Sequence, residues 1–117
     1  MDVEVDLYSG RPNPRFHLGP ATAAELMHRL AALPPLSGRA TPRATLGYRG
    51  LRVDAGVIES TITEIVVSGG AVFVCDRAGT QRVLEDRERG LERWLVEAGA
   101  GQLDPNEVAV LDQDLKS

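Results

Sequence analysis

The sequence predicts an α+β domain with a mostly antiparallel sheet of about five or six strands, packed by two or three helices. Three observations favour this class. Residues 2–8 alternate apolar and polar side chains, the period of a strand covered on one face. Residues 61–67 and 71–75 are apolar runs joined around Gly69-Gly70, which is typical of a β-hairpin. Other segments repeat their apolar residues at helical spacing instead.

The first predicted elements are a β-hairpin and a helix. The alternation resumes at residues 15–18 after a turn rich in proline, so residues 2–18 are expected to form a hairpin. Gly19-Pro20 is typical of a helix start, because the N–H that proline lacks would be unpaired there anyway. Pro34-Pro35 is expected to end this helix. Its predicted apolar face is Ala23, Leu26, Met27, Leu30 and Leu33.

The middle of the chain is predicted to contain a loop and a strand. Residues 34–45 have no periodic pattern and carry three prolines, which predicts an irregular, mobile loop that could border a site. A strand is expected over residues 46–54, with a β-bulge at Gly50 because the apolar residues change face there. Residues 80–84 are expected to form a further short strand.

Two helices are predicted to close the fold. Asp86 is a candidate N-cap of the first helix, and Gly99 is its expected end. The predicted apolar stripe of this helix is Leu91, Trp94, Leu95 and Ala98. Trp94 is therefore expected to belong to the core. Residues 104–107 read Asp-Pro-Asn-Glu, a near capping box that predicts the start of a short last helix.

Length and charge limit the class of protein. The chain has 117 residues, so residues 1–117 are expected to form one domain. The formal net charge of −4 disfavours a nucleic-acid binder, whose affinity depends on a basic surface. No apolar run approaches the ~20 residues of a membrane helix, and the N-terminus lacks the regions of a signal peptide. We therefore expect a soluble, cytoplasmic protein that binds neither nucleic acid nor membrane.

Cysteine and histidine usage predicts no metal site. The single cysteine, Cys75, lies in an apolar run and is expected to be a buried, inert thiol. His17 and His28 are far apart, without cysteine or carboxylate at ligand spacing. No common nucleotide- or metal-binding motif is present either, so we expect no metal and no cofactor. Abundant Ala, Gly and Leu, with arginine in place of lysine, indicate a GC-rich bacterial genome.

The most distinctive segment is SGRPNPRFH, at residues 9–17. One interpretation is a preformed clamp for an anionic or polar group. The prolines would lower the entropic cost of ordering the turn on binding. Arg11 and Arg15 could grip a carboxylate or phosphate, and Asn13 offers both a donor and an acceptor.

The neighbouring strand face allows two further interpretations. In the structural one, the segment is only a stiff turn, and Arg15 pairs with Asp6 or Glu4 across the hairpin. In the chemical one, His17 shares a face with Asp6 and Tyr8. A histidine beside a carboxylate is the minimum for acid–base catalysis.

Tyr48 and Arg49 are further candidate ligand-binding residues. They lie beside the suspected bulge, and bulges redirect side chains and often neighbour sites. Tyr48 could border a pocket formed by the loop of residues 34–45. It could equally be half-buried with a solvated hydroxyl.

The hexapeptide S-G-R-P-N-P, after a first strand and before a helix rich in Ala and Leu, resembles the opening of a family of small, uncharacterised bacterial and fungal proteins. Residues 46–50 (LGYRG) and 92–95 (ERWL) also resemble later segments of that family. The similarity is scattered along most of the chain, and the hexapeptide is its only sharp motif. The resemblance supports the expected boundaries of the fold. It assigns no catalytic residue, because no established activity accompanies the family.

These observations lead to three functional hypotheses. The preferred one is a small ligand- or protein-binding accessory domain in a bacterial biosynthetic pathway, with a small polar or anionic molecule or a protein as its partner. The second is a small cofactor-free enzyme, an isomerase, cyclase or lyase, that uses His17 with Asp6 or Tyr8. The third is a structural homo-oligomer such as a homodimer. A pocket that united His17, Arg11 and Tyr48 would favour the enzyme.

Overall fold

The computed structural model describes residues 1–8, 10–38, 47–55 and 61–116. The strands are β1 Asp2–Asp6, β2 Arg15–His17, β3 Gly50–Asp54, β4 Ile62–Ser68, β5 Ala71–Asp76 and β6 Gln81–Glu85. They form one antiparallel sheet in the order β2-β1-β3-β4-β5-β6. The helices are α1 Pro20–Ala31, α2 Gly90–Gly99 and α3 Pro105–Leu115. The predicted α+β class with a mostly antiparallel sheet is confirmed.

The three helices cover one face of the sheet, which we call the inner face. Alternate strand residues point into it, and they form one apolar cluster with the buried residues of all three helices. The opposite, outer face is charged over β2, β1 and β3, where Glu4, Arg15 and Arg52 lie side by side. Over β5 it becomes apolar, and Phe73 is buried there.

The chain after α1 is more regular than expected. Pro35 forms a β-bridge with Leu84, and the Leu36 N–H donates to the Val83 carbonyl oxygen at 3.0 Å. Residues 34–36 therefore cover part of the outer edge of β6, where an irregular loop was predicted. Residues 39–45 of that predicted loop lie outside the described residues.

β3 begins at Gly50 and pairs with β1 without a break, so the predicted bulge is not there. Gly50 is needed for a different reason. Its φ is 145°, and a Cβ atom would lie 2.6 Å from the Val67 carbonyl oxygen. Only glycine allows this close approach of the two backbones. The register shift of the sheet lies in β4, between Ile62 and Glu64.

The buried stripe of α2 differs from the predicted one. Leu91 and Leu95 are buried as expected, whereas Trp94 is only half-buried and Ala98 is exposed. The Arg29 guanidinium lies 4.6 Å from the Trp94 ring centroid, so the indole packs at the edge of the core. The buried stripe is instead Leu91, Glu92, Leu95, Val96 and Gly99.

Gly99 has a packing role as well as ending α2. A Cβ atom at Gly99 would lie 2.5 Å from the Phe16 ring, so the absence of a side chain lets α2 rest on β2. The predicted cap of α3 is confirmed, because the Asp104 carboxylate accepts the Asn106 N–H at 2.8 Å.

Candidate functional site

The turn between β1 and β2 is organised by the Asn13 side chain. Its Oδ1 atom accepts the backbone N–H groups of Leu7 and Tyr8 at 3.0 and 2.7 Å. Its Nδ2 atom donates to Glu4 at 2.8 Å. These bonds all lie within the hairpin. Asn13, a candidate ligand-binding residue, is thus engaged in shaping the turn.

The register of the hairpin determines which acid each side chain meets. Arg15 lies opposite Glu4 and pairs with it at 3.2 Å, as the structural interpretation expected. His17 lies opposite Asp2, and its Nδ1 atom is 2.9 Å from Asp2 Oδ1. The hydrogen bond from His17 lowers the pKa of Asp2 below its ordinary value. The expected partner Asp6 is about 13 Å further along β1, at ~3.3 Å per residue.

Asp6 and Tyr8 have partners of their own. Arg49 Nη2 donates to Asp6 at 2.7 Å and to the Tyr8 carbonyl oxygen at 3.2 Å. The Tyr8 hydroxyl donates to Glu107 of α3 at 2.8 Å, which raises the pKa of Tyr8. The structure therefore does not bring His17 together with Asp6 and Tyr8 as an acid–base group.

The two arginines of the turn line different clefts. The Arg11 guanidinium lies 3.7 Å from the Tyr8 ring centroid, in a cleft of about 470 Å³ that Asp104 and Glu107 also line. Arg15 lines a separate cleft of about 290 Å³ on the outer face of the sheet. Arg11 and Arg15 therefore cannot bind one anion together. In the Arg11 cleft, Asp104 and Glu107 already offset the charge of Arg11.

Tyr48 is buried, not at the border of a pocket. Its hydroxyl donates to Glu92 Oε2 at 2.5 Å, and the Glu92 side chain is fully buried. Burial first, and the adjacent carboxylate second, raise the pKa of Tyr48 well above its ordinary range. A solvated hydroxyl was the other expectation, and it is also wrong.

Arg89 neutralises the buried Glu92. Its Nε and Nη2 atoms donate to the two Glu92 oxygens at 3.0 and 2.7 Å, and Nη2 also contacts Asp114 of α3 at 2.9 Å. The hydrogen bond to Glu92 raises the pKa of Arg89. The network links α2, α3 and the start of β3 through Tyr48. Sequence reasoning missed it, although an acid directly after Leu91 on an apolar helix face was its visible signal.

Asp86 caps α2, although a short turn separates it from the first residue of the helix. Its two carboxylate oxygens accept the N–H groups of Leu91 and Glu92 at 2.7 and 3.1 Å, across a short 3-10 turn at Arg87–Arg89. Glu88 and Arg89 both have a φ of 56°, in the left-handed region. Burial raises the pKa of Asp86. The predicted cap therefore exists, one short turn earlier than a simple N-cap.

A cleft lined by seven apolar residues and one arginine lies between α1 and the far end of the sheet, and we call it the α1 cleft. Its volume is about 390 Å³. The helix side contributes Met27, Leu30, Ala31 and Leu33. The sheet side contributes Ile62, Val74, Leu84 and Arg82. Met27, Leu33 and Ile62 are only partly buried, so apolar surface remains accessible in the cleft.

Among the described residues that line the α1 cleft, Arg82 is the one that carries a charge, and its side chain is exposed. It lies opposite Val74 on β6, two residues before the buried Leu84, so it occupies an inner-face position. Among the arginines that the structure describes, it alone has a side chain without a hydrogen bond, ion pair or ring contact. Sequence reasoning missed Arg82, because the facing of a short edge strand was not predictable from residues 80–84.

Two features are absent from the described ranges. Within residues 1–8, 10–38, 47–55 and 61–116, no group of His, Cys, Asp and Glu side chains is placed to hold a metal ion. The same ranges contain no helix of sufficient length and hydrophobicity to span a bilayer.

Comparison with known proteins assigns no class to this chain. No family model, no curated protein and no solved structure matches it. The resemblance of the S-G-R-P-N-P turn to a bacterial and fungal family therefore stays a prediction.

Proposed function

We propose that this domain binds a small molecule with an apolar body, and that the α1 cleft is the binding site. One observation carries the proposal: seven apolar residues from α1, Leu33 and three strands line one cleft of about 390 Å³. Small-molecule sites are usually concave, mainly apolar and about 300–1,000 Å³ in volume, with few polar groups. Met27 supports this role, because a flexible thioether adapts to occupants of different shape.

The proposal keeps the ligand-binding hypothesis and moves its site away from the turn. Asn13 and Arg15 are engaged within the hairpin. In the α1 cleft, by contrast, Met27, Leu33 and Ile62 have accessible apolar surface. The enzyme hypothesis has less support, because His17, Arg11 and Tyr48 do not share a cleft. A place in a bacterial biosynthetic pathway stays a prediction.

A neutral, solvent-sensitive dye tests the proposal without involving charge. Nile red fluorescence should rise when the dye enters the α1 cleft of the wild-type protein. Ala31→Trp places an indole at the wall of the cleft and should weaken the dye affinity at least about tenfold, since it displaces the ligand from its contacts. Ala24→Trp is the matched control, because Ala24 is exposed on the same helix and does not line the cleft.

The control variant should bind the dye as the wild type does, with an unchanged melting temperature in both variants. Arg11→Ala examines the turn in the same titration and should have no effect. Loss of binding in Arg11→Ala, with normal binding in Ala31→Trp, would assign the site to the turn. Equal binding by all four proteins would remove the α1 cleft as a site.

A further inference from the structure

Arg82 adds a positive charge to the lining of the α1 cleft. The sheet register places it in the inner-face row with Val74, and no acidic residue is among the described residues that line the cleft. Other arginines on strands are paired with acids, as Arg15 is with Glu4 and Arg52 is with Glu64. The cleft therefore combines an apolar wall with one cation that has no protein partner among the described residues.

We propose that the occupant of the α1 cleft is an apolar chain that ends in a single carboxylate, with Arg82 holding the carboxylate. This inference rests on the proposed function. Guanidinium binds carboxylate through two parallel hydrogen bonds, and its planar fork matches the two oxygens. The apolar chain then lies along Met27, Leu33 and Ile62, whose partly buried side chains flank the cleft.

One cation favours a monoanion over a more highly charged group. A phosphate monoester carries close to two charges at neutral pH and commonly takes several donors. Of the described residues that line the α1 cleft, only Arg82 offers a charged donor, because the other lining side chains are apolar. Because Arg82 is exposed, water solvates its guanidinium when the cleft is empty. A carboxylate would give this cation a charged partner at the inner face of β6, whereas a neutral ligand would not.

Three ligands with the same chain and different head groups test the inference: octanoate, octanol and octylammonium. Calorimetric titration of the wild-type protein should give octanoate an affinity roughly tenfold or more above that of octanol, the usual effect of a hydrogen bond to a charged group. Octylammonium should bind more weakly than octanol. Arg82→Gln should reduce octanoate to the affinity of octanol and leave octanol unchanged.

Arg87→Gln is the matched control, because Arg87 is exposed, pairs with Glu85 and does not line the cleft. It should keep the preference for octanoate. Equal binding of octanoate and octanol, or a preference that survives in Arg82→Gln, would overturn the role of Arg82 while leaving the apolar site in place. If the methylene stem of Arg82 only shields the floor of the cleft, Arg82→Gln would change the affinities for octanoate and octanol by the same factor, and this too would overturn the role of Arg82. Failure of all three ligands to bind would instead contradict the proposed function itself.

Discussion

Asn13 is bonded to three groups of its own hairpin, and these bonds account for the proline-rich turn without a ligand. A two-residue turn would suffice to reverse the chain. The longer turn allows one amide side chain to satisfy the backbone N–H groups of Leu7 and Tyr8, which leave the β1 ladder there. The sequence indicated Asn13 as a candidate ligand-binding residue, because its amide can both donate and accept hydrogen bonds. The same two groups can equally hold a turn together.

Asn13→Ala should therefore destabilise the fold, by about 1–3 kcal/mol, because partly buried donors lose their acceptor. Urea unfolding measures this. Asn106→Ala is the control, since Asn106 is exposed and its side chain makes no hydrogen bond with the described residues. Its stability should stay within ~0.5 kcal/mol of the wild type. An Asn13→Ala protein of wild-type stability would show that the turn is not held by this side chain.

Glu92 is a buried acid at the centre of a network that joins Tyr48, α2 and α3. It accepts hydrogen bonds from Tyr48 and from two atoms of Arg89. The sequence pattern could not predict this, because periodicity reports which residues share a face and not which polar group will find partners there. Only the approach of residues 47–49 to α2 brings the Tyr48 hydroxyl to the carboxylate.

Glu92→Leu should cost about 3–5 kcal/mol, because it leaves the Arg89 guanidinium largely buried and short of a counter-charge. The double variant Arg89→Met with Glu92→Leu should recover part of that loss, since it also removes the guanidinium, which keeps only Asp114 as an acidic partner in Glu92→Leu. Chemical unfolding of the three proteins provides the comparison, with the exposed Glu97→Leu as a control. A double variant that is less stable than Glu92→Leu would contradict this account of the network.

At the scale of elements, the sequence predicted most of the sheet and all three helices. Strict alternation identified β1, a Gly-Gly pair identified the β4–β5 hairpin, and Asp104-Pro105 identified the start of α3. These signals are local, so they could be found without the fold. The pairing of residues 34–36 with β6 is a contact between distant segments, and nothing in the local pattern indicated it.

The predicted buried face of α2 was wrong for the same reason, because it too depends on contacts between distant segments. Leu91 and Leu95 fix a helical face only to within one neighbouring position on either side, and the sequence interpretation chose Trp94 and Ala98. The structure turns the helix toward Glu92 and Val96 instead. The reason lies in tertiary contacts, since Glu92 meets Tyr48 and Gly99 meets Phe16.

This orientation predicts a ranking of two substitutions. Leu95→Ala should cost about 2–5 kcal/mol, the usual loss for a fully buried leucine. Trp94→Ala should cost less than Leu95→Ala, despite the larger side chain, because the indole is only half-buried and packs partly against Arg29. Urea denaturation midpoints decide the order. The reverse order would mean that Trp94 belongs to the core after all.

At the scale of the whole molecule, the sequence predicted the fold class but not where a cleft would form. The candidate residues of the turn are distributed over three environments: a hairpin interior, the outer face of the sheet and a cleft beside α3. The α1 cleft requires α1, Leu33 and the inner row of β4, β5 and β6 to meet. Its arginine could be recognised only once the register of β6 was known.

Chemical-shift mapping by ¹H–¹⁵N NMR during titration with octanoate tests the central claim most directly, because it locates the ligand without a substitution. The account predicts saturable shifts that cluster at residues 27–33 of α1 and its end, at Ile62, at Val74 and at residues 82–84. Shifts centred on Tyr8, Arg11 and Glu107, or the absence of saturable shifts, would contradict the assignment of the α1 cleft as the binding site.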